Sequence, residues 1–392
     1  MCATYPISFS ALWQEKDDTA DGVIVMRAAS SRLTSRTFER PNRLGNSAPY
    51  YEYRDTAMCR TAPFKPEWIA PLRVVSNDDP NNSDVIYNNG HLLHQQTFFV
   101  GPVNFYWIVR GVKYCREMNT GDSNIISPYV PHSFSIRRNS EPGYIVAVTY
   151  GAQVRRALDE CTRMPASILD SLAGDLRDPR IFHVRLRRMM AEESITEEEV
   201  VFRLLDSGLS LSRIEGIFAG ERPTQNELLA LSRILRIRTK DISIEPIDEQ
   251  RIVDLRHRTE PRHFPSRRDS HYELRSLARL VNQPQVKGFE FTVLTREGSW
   301  LQHSLHQYVY NFGDTTVRLC WNDEYHTELY PGDSAYCRPM TRHKFSATSG
   351  QSFPRLFVVR VPGFLTSEAL DEYATFDPDR RSRTVLERST WF

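Results

Sequence analysis

The chain has 392 residues, 40% hydrophobic and 25% charged, and its 50 basic and 49 acidic side chains leave a formal net charge of +1. That length exceeds one ordinary core and predicts two or three domains, while the near-neutral balance excludes a global field that would hold the chain on nucleic acid or an anionic membrane. There is no run of ~18 apolar residues to span a bilayer, and the opening Met1-Cys2-Ala3-Thr4-Tyr5-Pro6 lacks the basic-then-apolar pattern of a secretory signal.

Residues 1–45 are polar, rich in Ser and Arg and weakly patterned, and are read as a degenerate helical segment. From residue 46 to 155 the signals are those of β structure. Aromatic and β-branched runs at Thr97 to Val100, Phe105 to Val109 and Tyr144 to Tyr150 are punctuated by Gly, Pro and Asn, and residues 77–82 are a loop by composition. Across 156–250 the period changes. Thr196 with Glu199 and Thr224 with Glu227 are capping-box pairs, each followed by apolar residues at helical spacing, with a further short helix at Leu211 to Phe218. Three short helices with tight turns resemble a helix-turn-helix unit. Arg213, Arg222, Arg233, Arg236 and Arg238 would suit a DNA-reading face, but a solvated helix surface explains them equally, and the whole-chain charge argues against nucleic acid. β signals return over 251–365, and 366–392 form a C-terminal tail. The six cysteines are scattered without a C-x-x-C and read as reduced thiols of a cytoplasmic protein.

The two β regions are copies. Gly121-Asp122-Ser123 through Pro131-His132-Ser133 recurs as Gly332-Asp333-Ser334 through Arg342-His343-Lys344, 211 positions on, and His91-Leu92-Leu93-His94-Gln95 recurs as His303-Ser304-Leu305-His306-Gln307, 212 on. A unit of about 100 residues in short strands, with a Gly-Asp turn leading to Pro and then His, suits a double-stranded β-helix. The expected fold is therefore α+β, mainly β: tandem cupin barrels with helix-turn-helix-like helical domains.

In such a barrel one strand offers a His and a second donor, and a later strand brings another His across the mouth. His91, Gln95 four residues on, and His132 a further 37 on fit that layout. Two imidazoles and one oxygen on one face leave adjacent positions open, as non-heme Fe(II) oxygenases require. The usual carboxylate is missing: Asp122 belongs to the repeated turn, and Ile126, in phase with His132, cannot ligate. From the residues alone, Gln95 is either a donor or a hydrogen-bonding core amide, and His94 competes with it but should face the other side of its strand. The second half repeats His303, Gln307 and His343, yet Arg342 and Lys344 flank its last His and disfavour a cation. One metal is expected, in the first barrel.

These motifs resemble the non-heme iron oxygenases of phosphonate biosynthesis, a family that includes 2-hydroxyethylphosphonate dioxygenase, methylphosphonate synthase and hydroxypropylphosphonate epoxidase. Asn88-Asn89-Gly90-His91 looks like the first-ligand motif, and Gly121-Asp122-Ser123 through His132 like the motif carrying the last His. The dioxygenase has a glutamate ligand where this chain has Ile126, whereas the methylphosphonate-forming members resemble this chain in having an amide four residues after the first His, here Gln95. The resemblance implies Fe(II), O2 and a small phosphonate, with no 2-oxoglutarate, and oxidative C–C cleavage of 2-hydroxyethylphosphonate to methylphosphonate. The alternative within the family gives hydroxymethylphosphonate and formate. It further implies phosphonate contacts from Asn88, Arg43, Lys16 and Arg355, with Arg360 a substitute for Arg355, and a catalytic Tyr53 donating its phenol near the metal. A helix-turn-helix regulator with a sensing barrel and a metal-independent bicupin are the competing classes. Further association into a homo-oligomer stays open.

Overall fold

The computed structural model describes residues 17–386, except 152–153, 155–156, 176–177, 179, 244–252, 258, 281–282 and 349–351. Two compact units result, one of residues 1–152 with 252–392 and one of Gln153–Arg251.

The larger unit is built from strands whose alternate residues face two different cores. Its first half carries β1 (Val23–Met26), β2 (Arg36–Pro41), β3 (Ser47–Asp55), β4 (Phe64–Pro71), β5 (Val74–Val75), β6 (His94–Val100), β7 (Val103–Val109), β8 (Val112–Met118), β9 (Ser123–Ile126), β10 (His132–Arg137) and β11 (Tyr144–Tyr150). The second half carries β12 (Val253–Arg256), β13 (Arg262–Pro265), β14 (Ser270–Ser276), β15 (Lys287–Val293), β16 (His306–Asn311), β17 (Val317–Trp321), β18 (Tyr325–Leu329), β19 (Ser334–Cys337), β20 (His343–Ala347) and β21 (Arg355–Val361). Two seven-stranded sheets have the same order, β12-β9-β6-β11-β4-β3-β2 and β1-β19-β16-β21-β15-β14-β13, and each faces a smaller sheet, β5-β10-β7-β8 or β18-β17-β20. The protein is thus mostly β in an α+β arrangement.

The duplicated halves exchange their first strands. β1 pairs with β19 (Val23 opposite Cys337), and β12 pairs with β9 (Val253 opposite Ile126). Because 126 and 337 are equivalent repeat positions, the exchange is reciprocal. The repeated Gly-Asp-Ser block is its latch. Asp333 accepts from Arg27 Nη1 and from the Ala28 amide, each at 2.7 Å, while Asp122 faces His257 at 3.2 Å. Ser334 Oγ accepts from the Ala57 amide at 2.8 Å, and Ser123 Oγ from the Ala278 amide at 2.9 Å. Residues 17–45 accordingly hold β1, one short helix (Ala28–Leu33) and β2 rather than a helical domain, because strand pairing across the repeat captures the weakly patterned segment. The tail from residue 366 forms helices Ser367–Ala374 and Pro378–Leu386.

Three cores follow. One lies inside each two-sheet half, around Phe99, Phe105 and Ile126 in the first and Phe291, Val309 and Phe345 in the second. The third lies between the halves, where Phe98 stacks on Phe357 with centroids 5.0 Å apart and Tyr308 donates to Thr56 at 3.0 Å.

In the smaller unit, helices Ile181–Glu192, Glu197–Asp206, Leu211–Phe218 and Gln225–Ile234 close around Leu186, Leu204, Ile214 and Leu231. Their starts follow the caps read from sequence. Thr196 Oγ1 accepts from the Glu199 amide, and Thr224 with Glu227 forms the reciprocal box. Arg213 is held by Glu221 and Glu227 within the unit, and Arg238 by Asp241. Among the described residues no helix is long and apolar enough to cross a membrane, and the five described cysteines are all free thiols. Cys59 and Cys337 are buried, but Cys115, Cys161 and Cys320 are only half-buried.

Candidate metal centre

His91 is placed by a tight turn. Asn88 Oδ1 accepts from the amides of Gly90 and His132, both at 2.9 Å, and the Tyr129 amide donates to His91 O at 2.8 Å, so the loop ahead of β6 is zipped to the turn ahead of β10. Gly90 is required there: its φ is +70°, and a Cβ would come 2.4 Å from the Tyr129 carbonyl carbon. His91 ends this loop, Gln95 is the second residue of β6, and His132 opens β10 in the facing sheet.

The three side chains meet. His91 Nε2 is 3.3 Å from Gln95 Oε1, and the His91 and His132 rings stand perpendicular with centroids 5.5 Å apart. Imidazoles at that separation can share one ion at the usual ~2.1 Å nitrogen distance. Gln95 Nε2 donates to Thr97 Oγ1 at 2.9 Å, which anchors the amide and turns its oxygen toward His91. His132 Nδ1 donates to Val130 O at 2.9 Å, so its Nε2 presents a lone pair. Burial holds the His132 pKa down at about 4, keeping the imidazole neutral as a ligand must be. His91 Nδ1 is buried without a partner. His132 Nε2 and Gln95 Oε1, with the protons of those side chains committed to Val130 O and Thr97 Oγ1, suit a divalent cation.

The remaining sequence candidates sit as follows. His94 faces away, stacked 5.5 Å from Tyr150, as strand alternation requires. Ile126 is the cross-strand partner of Gln95, so a donor on either strand would reach the same point. Asn88 Nδ2 is 3.1 Å from His132 Nε2. Tyr53 lies on the inward face of β3 with Tyr51, and burial pushes its phenol up to about 12. Arg43 is bound to Asp84 at 2.6 Å on the surface. Arg355 is bound to the buried Glu290 at 2.8 Å in the second half. Lys16 lies outside the described residues.

Two residues that shape the site escaped sequence reasoning. Thr97 orients the Gln95 amide, and Asn124, its cross-strand partner, is fully buried with neither side-chain amide atom bonded. Their repeat equivalents are Val309 and Ala335, so comparing the two halves position by position would have exposed both.

The second half assembles the same side chains differently. His303 Nε2 is 3.1 Å from Gln307 Oε1, and the His303 and His343 rings are 5.7 Å apart, but Arg360 Nε also donates to Gln307 Oε1, at 2.8 Å. Arg342 and Lys344, expected to keep a cation away, do not face this cluster. They lie over the Trp300 ring at 4.1 and 4.9 Å, because residues flanking an inward His on a strand point outward. The inward cation is Arg360.

No family model matches the chain. It is 32% identical over 398 residues to a protein named methylphosphonate synthase from Nitrosopumilus maritimus (strain SCM1), covering 99% of this chain and 84% of that one. Among solved structures it is similar to Streptomyces albus HEPD with 2-hydroxyethylphosphonate and Fe(II) bound, at 33% identity and a TM-score of 0.89, covering 100% and 88% of the two chains. Native PhpD with cadmium atoms shares the fold at 19% identity and a TM-score of 0.70, covering 94% and 86%.

Proposed function

The chain belongs to the family of methylphosphonate synthase and 2-hydroxyethylphosphonate dioxygenase, and from that premise we propose that it converts 2-hydroxyethylphosphonate to methylphosphonate with Fe(II) and O2. On this reading the two-sheet halves are cupin barrels, the helical unit is helix-turn-helix-like, and the protein works in the cytoplasm.

The observation that carries the reading is the neutral donor set. His91, Gln95 and His132 would hold the iron, and Ile126 beside Gln95 supplies no carboxylate. Bound Fe(II) supplies the one-electron chemistry that lets a carbon substrate react with O2. With no anionic ligand the site keeps the full double charge of the ion, and a phosphonate dianion neutralises it. Asn88, with its amide turned to His132 Nε2, is placed to donate to a ligand oxygen at the same point. Tyr53 keeps its proton at neutral pH and serves as a donor from β3. Asn124 offers an uncommitted amide on the floor, next to Thr97. Arg43 and Arg355 would have to leave Asp84 and Glu290 to reach a phosphonate, and Lys16 remains a candidate from the N-terminal segment.

The reaction balances with O2 alone. The carbinol carbon leaves at the oxidation level of CO2, the phosphonate carbon gains one hydrogen, and the four electrons released reduce O2. Hydroxymethylphosphonate plus formate has the same balance, so the two outcomes differ only in how the intermediate partitions. Anaerobic loading with Fe(II), addition of 2-hydroxyethylphosphonate and O2, and phosphorus NMR of the products test the proposal. A methylphosphonate resonance is expected, a hydroxymethylphosphonate resonance would replace it with the sister activity, and unreacted substrate would refute both.

A further inference from the structure

The second cluster has every donor of the first, and two of its changed neighbours bear directly on the Gln307 amide. Position 149 in the first half, opposite Gln95 on β11, is Thr149, whose hydroxyl donates to Lys65 O at 3.1 Å. The equivalent position opposite Gln307 on β21 is Arg360. Position 97, which anchors the Gln95 amide, becomes Val309, which can accept nothing.

The consequences can be followed proton by proton. Without a threonine to take it, the Gln307 amide gives its N–H to His343 Nε2 at 2.8 Å. That nitrogen carries the lone pair, because His343 Nδ1 donates to Thr341 O at 2.8 Å. His303 Nε2 stands 3.1 Å from Gln307 Oε1, and because an amide oxygen only accepts, that contact is made by a proton on Nε2. Gln307 Oε1 takes a second hydrogen bond from Arg360 Nε. The first half shows comparable contacts, Asn88 Nδ2 to His132 Nε2 at 3.1 Å and His91 Nε2 to Gln95 Oε1 at 3.3 Å, so what sets the second half apart is that the ligand-type amide itself turns to the imidazole and that a guanidinium holds its oxygen. Arg360 makes no ion pair among the described residues, and its guanidinium lies over the Phe289 and Phe291 rings at 5.4 and 5.8 Å. A half-buried cation with its Nη2 enclosed and no carboxylate beside it is the charge arrangement of a metal site, with the guanidinium standing where an ion would stand.

We propose that Arg360 and Val309 together keep the second half free of metal: Arg360 supplies the site's cation, Val309 releases the amide onto His343, and the donor set beneath them remains intact. The second half is a latent metal site closed by two side chains. This deepens the reading of the first half as the iron site and rests on it only for the number of ions expected in the unaltered protein.

Equilibrium dialysis of the full chain against Co(II), with metal and protein quantified, tests the proposal. The unaltered protein should hold one equivalent, V309T/R360T two, and V309T/R360T/H343A one again. V309T/R360M, which keeps an unbranched stem against Phe289 and Phe291, should also hold two and guards against a variant that fails to fold. If the unaltered protein holds none, the iron reading of the first half fails, while a gain of one equivalent in the double variants still upholds the latent site. Folded double variants that gain no equivalent over the unaltered protein overturn it.

Discussion

Installing the second half's arginine in the first half is the sharpest test of how these residues choose between metal and guanidinium. Thr149→Arg places a guanidinium opposite Gln95, as Arg360 stands opposite Gln307 with Nε 2.8 Å from the amide oxygen. A unit charge ~5 Å from a divalent ion repels it by about 7 kcal/mol at an effective dielectric of ~20. Position 149 is half-buried, so the new side chain can swing partly toward solvent and shed some of that repulsion. If only about 3 kcal/mol survives, metal affinity still falls about a hundredfold. Anaerobic titration with Fe(II) or Co(II), followed by the cobalt absorption bands, measures the loss directly, and Thr149→Gln controls for bulk without charge. The arginine variant should lose at least a hundredfold and the glutamine variant less than tenfold. Equal affinities in both, or an arginine variant with unaltered affinity, would refute the argument that charge at this register position decides occupancy.

Gln95→Ala should weaken Fe(II) binding more than tenfold, and Gln95→Glu should restore or exceed the original affinity, with Ile126 alongside unable to compensate for the lost oxygen; titration of the two variants reads this. Gly90→Ala should cost about 1–3 kcal/mol in urea unfolding and lower metal affinity as well, since the left-handed φ and the Tyr129 backbone leave no room for a Cβ. In the second half, burial holds His303 and His306 at about 4 and His343 at about 3, below the ordinary 6.5. Between pH 6.5 and 4 the unfolded chain binds protons that the folded chain refuses, so stability is full above 6.5 and is lost as pH falls through that window. The urea midpoint of the metal-free protein should drop steeply from pH 7 to pH 5, and a flat midpoint would contradict the burial of these imidazoles.

Much of this arrangement was legible because its signals are local. The Asn88-Asn89-Gly90 turn, the capping pairs at Thr196 and Thr224, and the repeated His and Gln each announce themselves within a few residues, and His94 was placed on the opposite face by alternation alone. What escaped was non-local. Val23-Ile24-Val25-Met26 reads as a strand without stating which sheet will take it, and only β19 more than 300 residues away completes the pairing. The charge argument about His343 likewise counted sequence neighbours. Arg342 and Lys344 are adjacent in the chain yet outside the cluster, whereas Arg360 arrives on another strand in register with Gln307.

The exchange of first strands bears on what the second half does for the proposed site in the first. Strand β6 carries the Gln95 amide on one face and part of the central core on the other: Gln95, Thr97 and Phe99 point inward, while Phe98 is fully buried against Phe312 and Phe357 of the second half. β11, which registers with Gln95 through Thr149, is buried on its outer face by the same core through Val146, Val148 and Tyr150. A first half on its own would expose that apolar face to water and lose β12 from the edge of β9, beside Ile126. Packing at Phe98 and geometry at Gln95 are two sides of one strand, three residues apart. The second half therefore backs the proposed iron site through its packed outer face, a role that makes no demand on its own donor cluster.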